Sequence, residues 1–533
     1  MYERKEFPFT TPPELTSGRD GHYPVAIIGA GPIGMAMAID LALQGVKSVL
    51  LDDNNVVSVG SRAICWAKRT LEIFDRLGIG DRMLEKGVTW KVGRLFHGDK
   101  EVYRFDLLPE ETHKMPAFIN LQQYYVEEYL VDRIGDFPDL IDLRWLSRVT
   151  GHTQRADGVE LEVATPEGDY RLNADYVLAC DGAKSDFRTR MGLDFKGRTF
   201  QESFLITDIE MAVPPFANSD HPERWFWFKP PFHSGQSALL HKQPDNIYRI
   251  DLQLTPDADA AEECRPENVI PRIRQIVGDE PFKIEWVSVY HFTCAALDRF
   301  VHDRVIFVGD SAHVVSPFGA RGGNGGIHDV DNLGWKLAAV LKGEAGRSLL
   351  DTYDTERRYG AAENIRNSTC ATNFMTPKSR TEAVFRDQVL ELAHYYPFAR
   401  KLVNSGRLSV PCSLEDIVVK HDRNAARGLA PGTACPDAPV LIDGRTAWLL
   451  NQLGTGWIML AIGVKAKIEA PEGVRLLIIT ATPEIRARYG DNVVYLIRPD
   501  QHVAGCFEGE EAAMVLPEAR QFFRGQSVLE ATG

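Results

Sequence analysis

Three groups of residues in this chain have the types and spacing that chemistry needs. The first is Gly29-x-Gly31-x-x-Gly34, which follows an apolar run at 25–28 and opens a helical pattern with Pro32 at its start. In that setting Gly29 makes a tight turn, Gly31 lets the backbone approach a pyrophosphate, and Gly34 lets helix pack on strand. The bare N–H groups of the helix N-terminus then face the phosphates. Asp52 closes the next strand, 23 residues after Gly29, where a carboxylate can grip a ribose hydroxyl. The second group is a pair of turns that each close an apolar strand: Asp181-Gly182, continued by Ser185 and Arg188, and Gly309-Asp310. A loop follows the latter, with six glycines between 309 and 326.

The third group lies on the strand 248–254, where a period of two puts Arg249, Asp251 and Gln253 on one face and Ile250, Leu252 and Leu254 on the other. Such a polar face inside an aromatic sheet suits a polar ligand, with a solvated face as the alternative. Arg249 and Asp251 are the catalytic candidates, and Gln253, Trp227, His233, His241 and His291 are candidate substrate contacts. The run Trp225-Phe226-Trp227-Phe228 puts both tryptophans on one sheet face, as core or pocket wall. His313 is either a base or a packing residue.

Those groups must be positioned by several units, since 533 residues exceed one small domain. Residues 1–22 read as an N-terminal arm, flexible or draped. The strand–turn–helix–strand pattern from Tyr23 begins a first part of a nucleotide-binding domain, 23–194. A β-rich, aromatic stretch follows at 195–295, which suits an inserted antiparallel sheet forming a substrate domain. The first domain resumes with helices at 296–405, a Pro/Gly-rich linker runs over 406–439, and strands and helices alternate in a module at 440–533. Helices are expected at 121–134 and from about 326 to 341, and the chain reads as helical over 351–405.

Composition bounds the partners. Apolar residues make up 44% and charged residues 25%, as in an ordinary globular chain, and the net charge of −14 argues against a nucleic-acid partner. No stretch reaches 18 uninterrupted apolar residues, and the first twenty lack an apolar signal core, so neither a membrane span nor a signal peptide is expected. Eight cysteines lie far apart with no CxxC pair, so no disulfide framework and no metal site is expected and a cytoplasmic location is.

Taken in order, GxGxxG, Asp181-Gly182 and Gly309-Asp310 resemble the class A flavin monooxygenases, the single-component FAD aromatic hydroxylases. Over about 25–340 the chain looks most like 3-(3-hydroxyphenyl)propionate hydroxylases and their phenol- and polyketide-hydroxylating relatives. The resemblance implies an α/β fold with a discontinuous Rossmann-like FAD domain, the inserted sheet, and a thioredoxin-like C-terminal module. It implies that Gly29, Gly31, Pro32, Gly34 and Asp52 hold the ADP half of FAD, with Arg62 and Gln123 near the flavin and its ribityl chain. Asp310, with Gly309, would bind the ribityl hydroxyls. Asp181 and Gly182 would support FAD and NAD(P)H, and Pro317, Gly322, Gly323 and Asn324 would form the loop under the isoalloxazine. A helix starting at 324–326 would aim its positive end at the anionic reduced ring. Cys180 and Asp53 depart from the family pattern.

The same resemblance implies that NADH or NADPH reduces the flavin, that O2 forms a C4a-hydroperoxide, and that oxygen passes to a phenolic ring. With a single GxGxxG, NAD(P)H is expected to visit transiently. The alternatives are an oxidase or halogenase on the same cofactor, or a non-catalytic FAD scaffold. Since every FAD motif precedes residue 341, the tail is expected to serve structure or a homodimer contact, and its removal to leave the flavin site complete.

Overall fold

In the computed structural model, the residues described are 5–58, 63–90, 92–106, 112–215, 222–233, 236–403, 409–414, 428–465 and 468–508. Arg62 therefore lies outside the described residues.

The apolar runs of the first domain form a largely parallel sheet. Its order is Val301–His302, Val305–Phe307, Gly168–Ala179, Gly21–Ile28, Ser48–Leu51, Ile141–Arg144, with Val159–Thr165 and Arg148–Gln154 branching off the long strand Gly168–Ala179. Val25, Ala26 and Ile27 at its centre are fully buried because helices cover both faces. The helix Pro32–Leu43 packs against the long helix Gly322–Leu341, which begins four residues earlier than the apolar periodicity implied. The glycines 322, 323 and 325 carry no apolar signal, so periodicity could not find that first turn.

The second sheet has eight strands, ordered His313–Val314, Lys283–Ala296, Lys196–Glu210, Ile247–Gln253, Ser237–Lys242, Glu223–Phe228, Val92–His97, Lys100–Asp106. Its last two strands come from outside the stretch 195–295: Val92–His97 pairs parallel with Glu223–Phe228. The far face buries Leu205, Trp227, Ile250 and Leu252 with Val269 and Ile273 of the helix Pro266–Val277. The near face buries Phe204, Phe226, Phe228 and Phe292 with residues of the helices Leu349–Met375 and Arg380–Tyr395.

The N-terminal arm is draped: Phe7 stacks on Trp145 at 4.8 Å, and buried Glu14 pairs with Arg144 at 2.9 Å. The tail has its own core and a four-stranded sheet, ordered Arg475–Ile479, Ile458–Ile462, Val493–Ile497, Val503–Glu508. It is bolted to the first domain through buried charge. Arg69 donates to Asp331 at 2.9 Å and reaches the Asp500 carbonyl at 2.8 Å and Gln501 at 3.1 Å. Arg498 clasps both oxygens of Glu356, each at 2.9 Å, and Lys336 donates to the same carboxylate at 2.8 Å. Burial alone would push Glu356 up, but Arg498 and Lys336 hold its carboxyl well below the usual range. The tail is thus joined to the first domain through buried ion pairs and hydrogen bonds. No helix among the described residues is long and apolar enough to cross a membrane.

Candidate active site

The strand Gly21–Ile28 delivers the chain into the glycine turn, and each glycine has a separate reason to be one. Gly29 has φ +101°, and a Cβ there would lie 2.7 Å from the Cys180 carbonyl oxygen. A Cβ on Gly34 would collide with the Gly29 carbonyl, so helix and strand touch there. At Gly31 an added Cβ would meet nothing within 4 Å: the backbone borders open space at the helix N-terminus, with Pro32 at N1. That is the cradle a pyrophosphate needs. Asp52 braces the turn, its carboxylate accepting from Ala30 N at 2.5 Å and Asn54 N at 2.8 Å. Burial pushes its pKa up. Gln123 accepts from Ala63 N at 3.0 Å and donates to Glu127 at 2.7 Å, so its side chain fastens Ala63 to the helix Gln123–Ile134.

The two acid–glycine turns lie side by side and are tied together. Arg188 reaches the carbonyls of Ala183 at 2.8 Å and Ser311 at 3.1 Å. Asp181 caps the next helix through Phe187 N at 3.0 Å, while its other oxygen is buried and, among the described residues, without a hydrogen bond. Burial raises its pKa. Gly309 has φ +67°, and its N–H is held by Asp329 at 3.0 Å. The same Asp329 takes His313 at 2.7 Å and Arg357 at 2.6 Å. Burial would raise this carboxyl, but His313 and Arg357 bring it to about 2. His313 is therefore the loop anchor rather than the base. The turn thereby presents Asp310 outward, exposed to solvent.

Pro317 is exposed, and an added Cβ on Gly322 or Gly323 would meet its neighbours at ordinary van der Waals distances. Asn324 is different. Its side chain holds Ala67 N and Cys65 O at 2.9 Å each, so it joins the helix start to the strand Cys65–Ala67 and has only its backbone to offer a cofactor.

The near face of the second sheet brings together Arg249, Asp251 and His241. Arg249 and His241 are direct cross-strand partners, and His241 is opposite Arg224 in turn. Packed against them are Cys65 and Asn120 of the small sheet, with Asn120 3.4 Å from the His241 ring. Arg249 is not a free cation, as fixed charge near a ring had suggested: it is bound at two points by Asp208 on the neighbouring strand, at 2.8 and 2.9 Å. Asp251 is pushed up to about 6 by burial, against the pull of Arg249. Burial, with Arg224 and Arg249 adding, holds His241 well below its usual value.

Three substrate candidates fall elsewhere. Trp227 packs in the far-face cluster, stacked on Phe96 at 5.4 Å, because odd positions of its strand point away from Arg249. His291 alternates with near-face Phe292 and is exposed. His233 sits in the turn beyond the sheet, bonded to the Gln253 carbonyl at 2.6 Å. Gln253 spends its side-chain oxygen on Ser237 N at 3.0 Å. Sequence reasoning missed Asp208, Asn120 and Arg224. Their signal is strand register, which one strand's alternation does not contain.

Comparison with known proteins gives the same assignment. The FAD binding domain family matches residues 22–368. This chain belongs to that family, the FAD-dependent aromatic hydroxylases. It is 30% identical over 436 residues to a 3-(3-hydroxy-phenyl)propionate/3-hydroxycinnamic acid hydroxylase of Mycolicibacterium gilvum, covering 81% of this chain and 74% of that one. It is 28% identical over 504 residues to a flavin-dependent monooxygenase of Mycobacteroides abscessus, covering 90% and 96%. Among solved structures, the rebeccamycin biosynthetic enzyme REBC in substrate-free form superposes with a TM-score of 0.74 at 26% identity, over 96% of this chain and 100% of that one. The flavin-dependent monooxygenase PieE, in complex with FAD and substrate, shares the fold with a TM-score of 0.78 at 22% identity, over 95% and 100%. The resident cofactor of the family is FAD, and the open cradle at Gly31 and the unpaired oxygen of Asp181 fit it.

Proposed function

We propose that this protein hydroxylates a phenolic aromatic ring with O2, using NADH or NADPH to reduce FAD. FAD supplies the redox and oxygen-activating chemistry when bound. The residues of this chain bind, orient and shield. Gly29, Gly31, Pro32, Gly34 and Asp52 would hold the ADP half, Asp310 the ribityl hydroxyls, and Gly182, Pro317, Gly322 and Gly323 the ring end. Asp181, with an oxygen to spare, would support the nucleotide. The observation that carries the reading is the polar face of buried Arg249 and His241 with half-buried Asp251, set among aromatic residues and packed against Cys65 and Asn120. Such a face orients a polar ring while keeping water from it.

The strand order of the tail, a parallel pair followed by an antiparallel pair, supports a thioredoxin-like module. It has no CxxC, which favours a structural role or a contact in a homodimer.

The test is NAD(P)H consumption by the purified yellow protein, with and without a panel of phenols, measured alongside H2O2. Hydroxylation predicts substrate-stimulated oxidation with little H2O2. Oxidation that yields only H2O2 with every phenol would point to an oxidase, and no oxidation at all to a scaffold.

A further inference from the structure

Two buried polar atoms on the near face of the second sheet have no hydrogen-bond partner among the described residues: Oδ1 of Asp251 and Nε2 of His241. Asp251 is opposite Leu239 and His241 opposite Arg249, so the two are diagonal neighbours on adjacent antiparallel strands. Diagonal neighbours on one face stand roughly 7–8 Å apart, which leaves room for one oxygen between their side-chain tips.

The proton on His241 is placed by a short chain of hydrogen bonds. An indole N–H can only donate. Trp90 Nε1 donates to Asn120 Oδ1 at 3.1 Å, and the Cys65 thiol donates to the same oxygen at 3.3 Å. The other end of the amide is therefore the NH2, which donates to the Lys242 carbonyl at 2.8 Å and to His241 Nδ1 at 3.4 Å. A ring nitrogen that accepts carries a lone pair, so the single proton of the neutral imidazole sits on Nε2. Burial, reinforced by Arg224 and Arg249, keeps the ring neutral. The face thus offers an unpaired donor, Nε2–H, beside an unpaired acceptor, Asp251 Oδ1.

We propose that His241 and Asp251 form a hydroxyl-recognition site: the ring hydroxyl of the substrate accepts from His241 Nε2–H and donates to Asp251 Oδ1. Asn120 and Trp90 are positioning residues that fix the imidazole tautomer. A hydroxyl both donates and accepts at one atom, which an ether or a carboxylate does not. An ether in the same place leaves Asp251 unpaired, and a carboxylate meets its charge. The site therefore selects a free phenol over its methyl ether. This rests on the aromatic-hydroxylase reading and names the group that reading must hold.

Two measurements on the FAD-loaded enzyme test it. In the first, ligand-free protein labelled with 15N-histidine, with His241 assigned through His241→Gln, should show Nε2 protonated and Nδ1 bare; the opposite tautomer overturns the proposal. In the second, flavin absorbance reports binding of phenol, 3-(3-hydroxyphenyl)propionate and their methyl ethers. The free phenols should bind at least about tenfold tighter than the ethers, as one lost hydrogen bond requires. That ratio should fall towards one in Asp251→Ala and His241→Leu and be partly kept in Asp251→Asn, which retains an acceptor. Equal binding of phenols and ethers by the parent, or a ratio unchanged in the variants, overturns the site while the hydroxylase reading stands. If no ring compound binds to the yellow protein, the hydroxylase reading fails and the site falls with it.

Discussion

Arg249 and Asp208 face each other across adjacent antiparallel strands and join through two hydrogen bonds, Nε to Oδ1 at 2.8 Å and Nη2 to Oδ2 at 2.9 Å. Both side chains are shut off from water, with 4% and 5% exposure. Removing one partner of such a pair leaves a buried charge uncompensated, at a cost of about 3–5 kcal/mol. Asp208→Ala should lower the unfolding free energy by that much in urea denaturation. Asp208→Ala combined with Arg249→Leu should be more stable than Asp208→Ala alone. A single variant as stable as the parent would show that the pair opens to solvent.

Asp251 gives the protein a pH signature. Its carboxyl lies at about 6 in the fold, against an ordinary value of 3.8, because burial outweighs the attraction of Arg249 and Arg224 while Asp208 adds repulsion. A raised acid stabilises the fold only while protonated, so its contribution is present below about 4 and lost as pH rises through about 6. Asp251→Asn should therefore gain stability over the parent at pH 7–8, by at most about 3 kcal/mol, and lose that advantage near pH 4. Thermal melts of both proteins between pH 4 and 8 measure the difference; parallel curves would place Asp251 in water.

Flavin retention should depend on two acids for different reasons. If Asp310 holds the ribityl hydroxyls as proposed, Asp310→Ala removes a charged acceptor worth about 1.5–3 kcal/mol and should raise the FAD dissociation constant about tenfold or more. Asp329→Asn acts from behind the loop by releasing Gly309 N–H and unbalancing His313 and Arg357. It should lower thermal stability as well as FAD affinity, whereas Asp310→Ala should change affinity alone. Equilibrium dialysis and melting of the apoproteins separate the two.

Cutting the chain after Ala430 should not give a soluble yellow protein. Every cofactor motif would remain, but Arg69, Asn332 and Glu356 would lose Asp500, Gln501 and Arg498 as partners in a buried setting. Glu356→Gln in the full chain is the milder test, with an expected loss of about 3 kcal/mol or more. A folded truncation that binds FAD would instead show the flavin site complete without the tail.

Local chemistry was legible in the sequence and long-range pairing was not. Gly29, Gly31 and Gly34 could be assigned separate roles because strand, turn and helix follow one another directly in the sequence. Arg249 and Asp251 could be placed on one face because strand alternation is local. That Arg249 is neutralised by Asp208, that Trp227 turns away, and that strands 92–106 complete the second sheet all depend on register between segments far apart in the chain. The helix start at Gly322 escaped for another reason, since glycines have no side chain to carry a periodic signal.

The clasp between Arg69 and the Asp500 carbonyl spans 431 positions of sequence. During synthesis the first domain emerges with its buried guanidinium and the Lys336–Glu356 pair still awaiting groups that the ribosome adds later. Arg69, Asp331 and Glu356 therefore cannot reach their final environment until the segment 498–502 has left the exit tunnel. The first domain reaches its final packing only once the tail has been made, and its buried charges lack these partners until then. Slow expression at low temperature should raise the yield of holoprotein more than added riboflavin does.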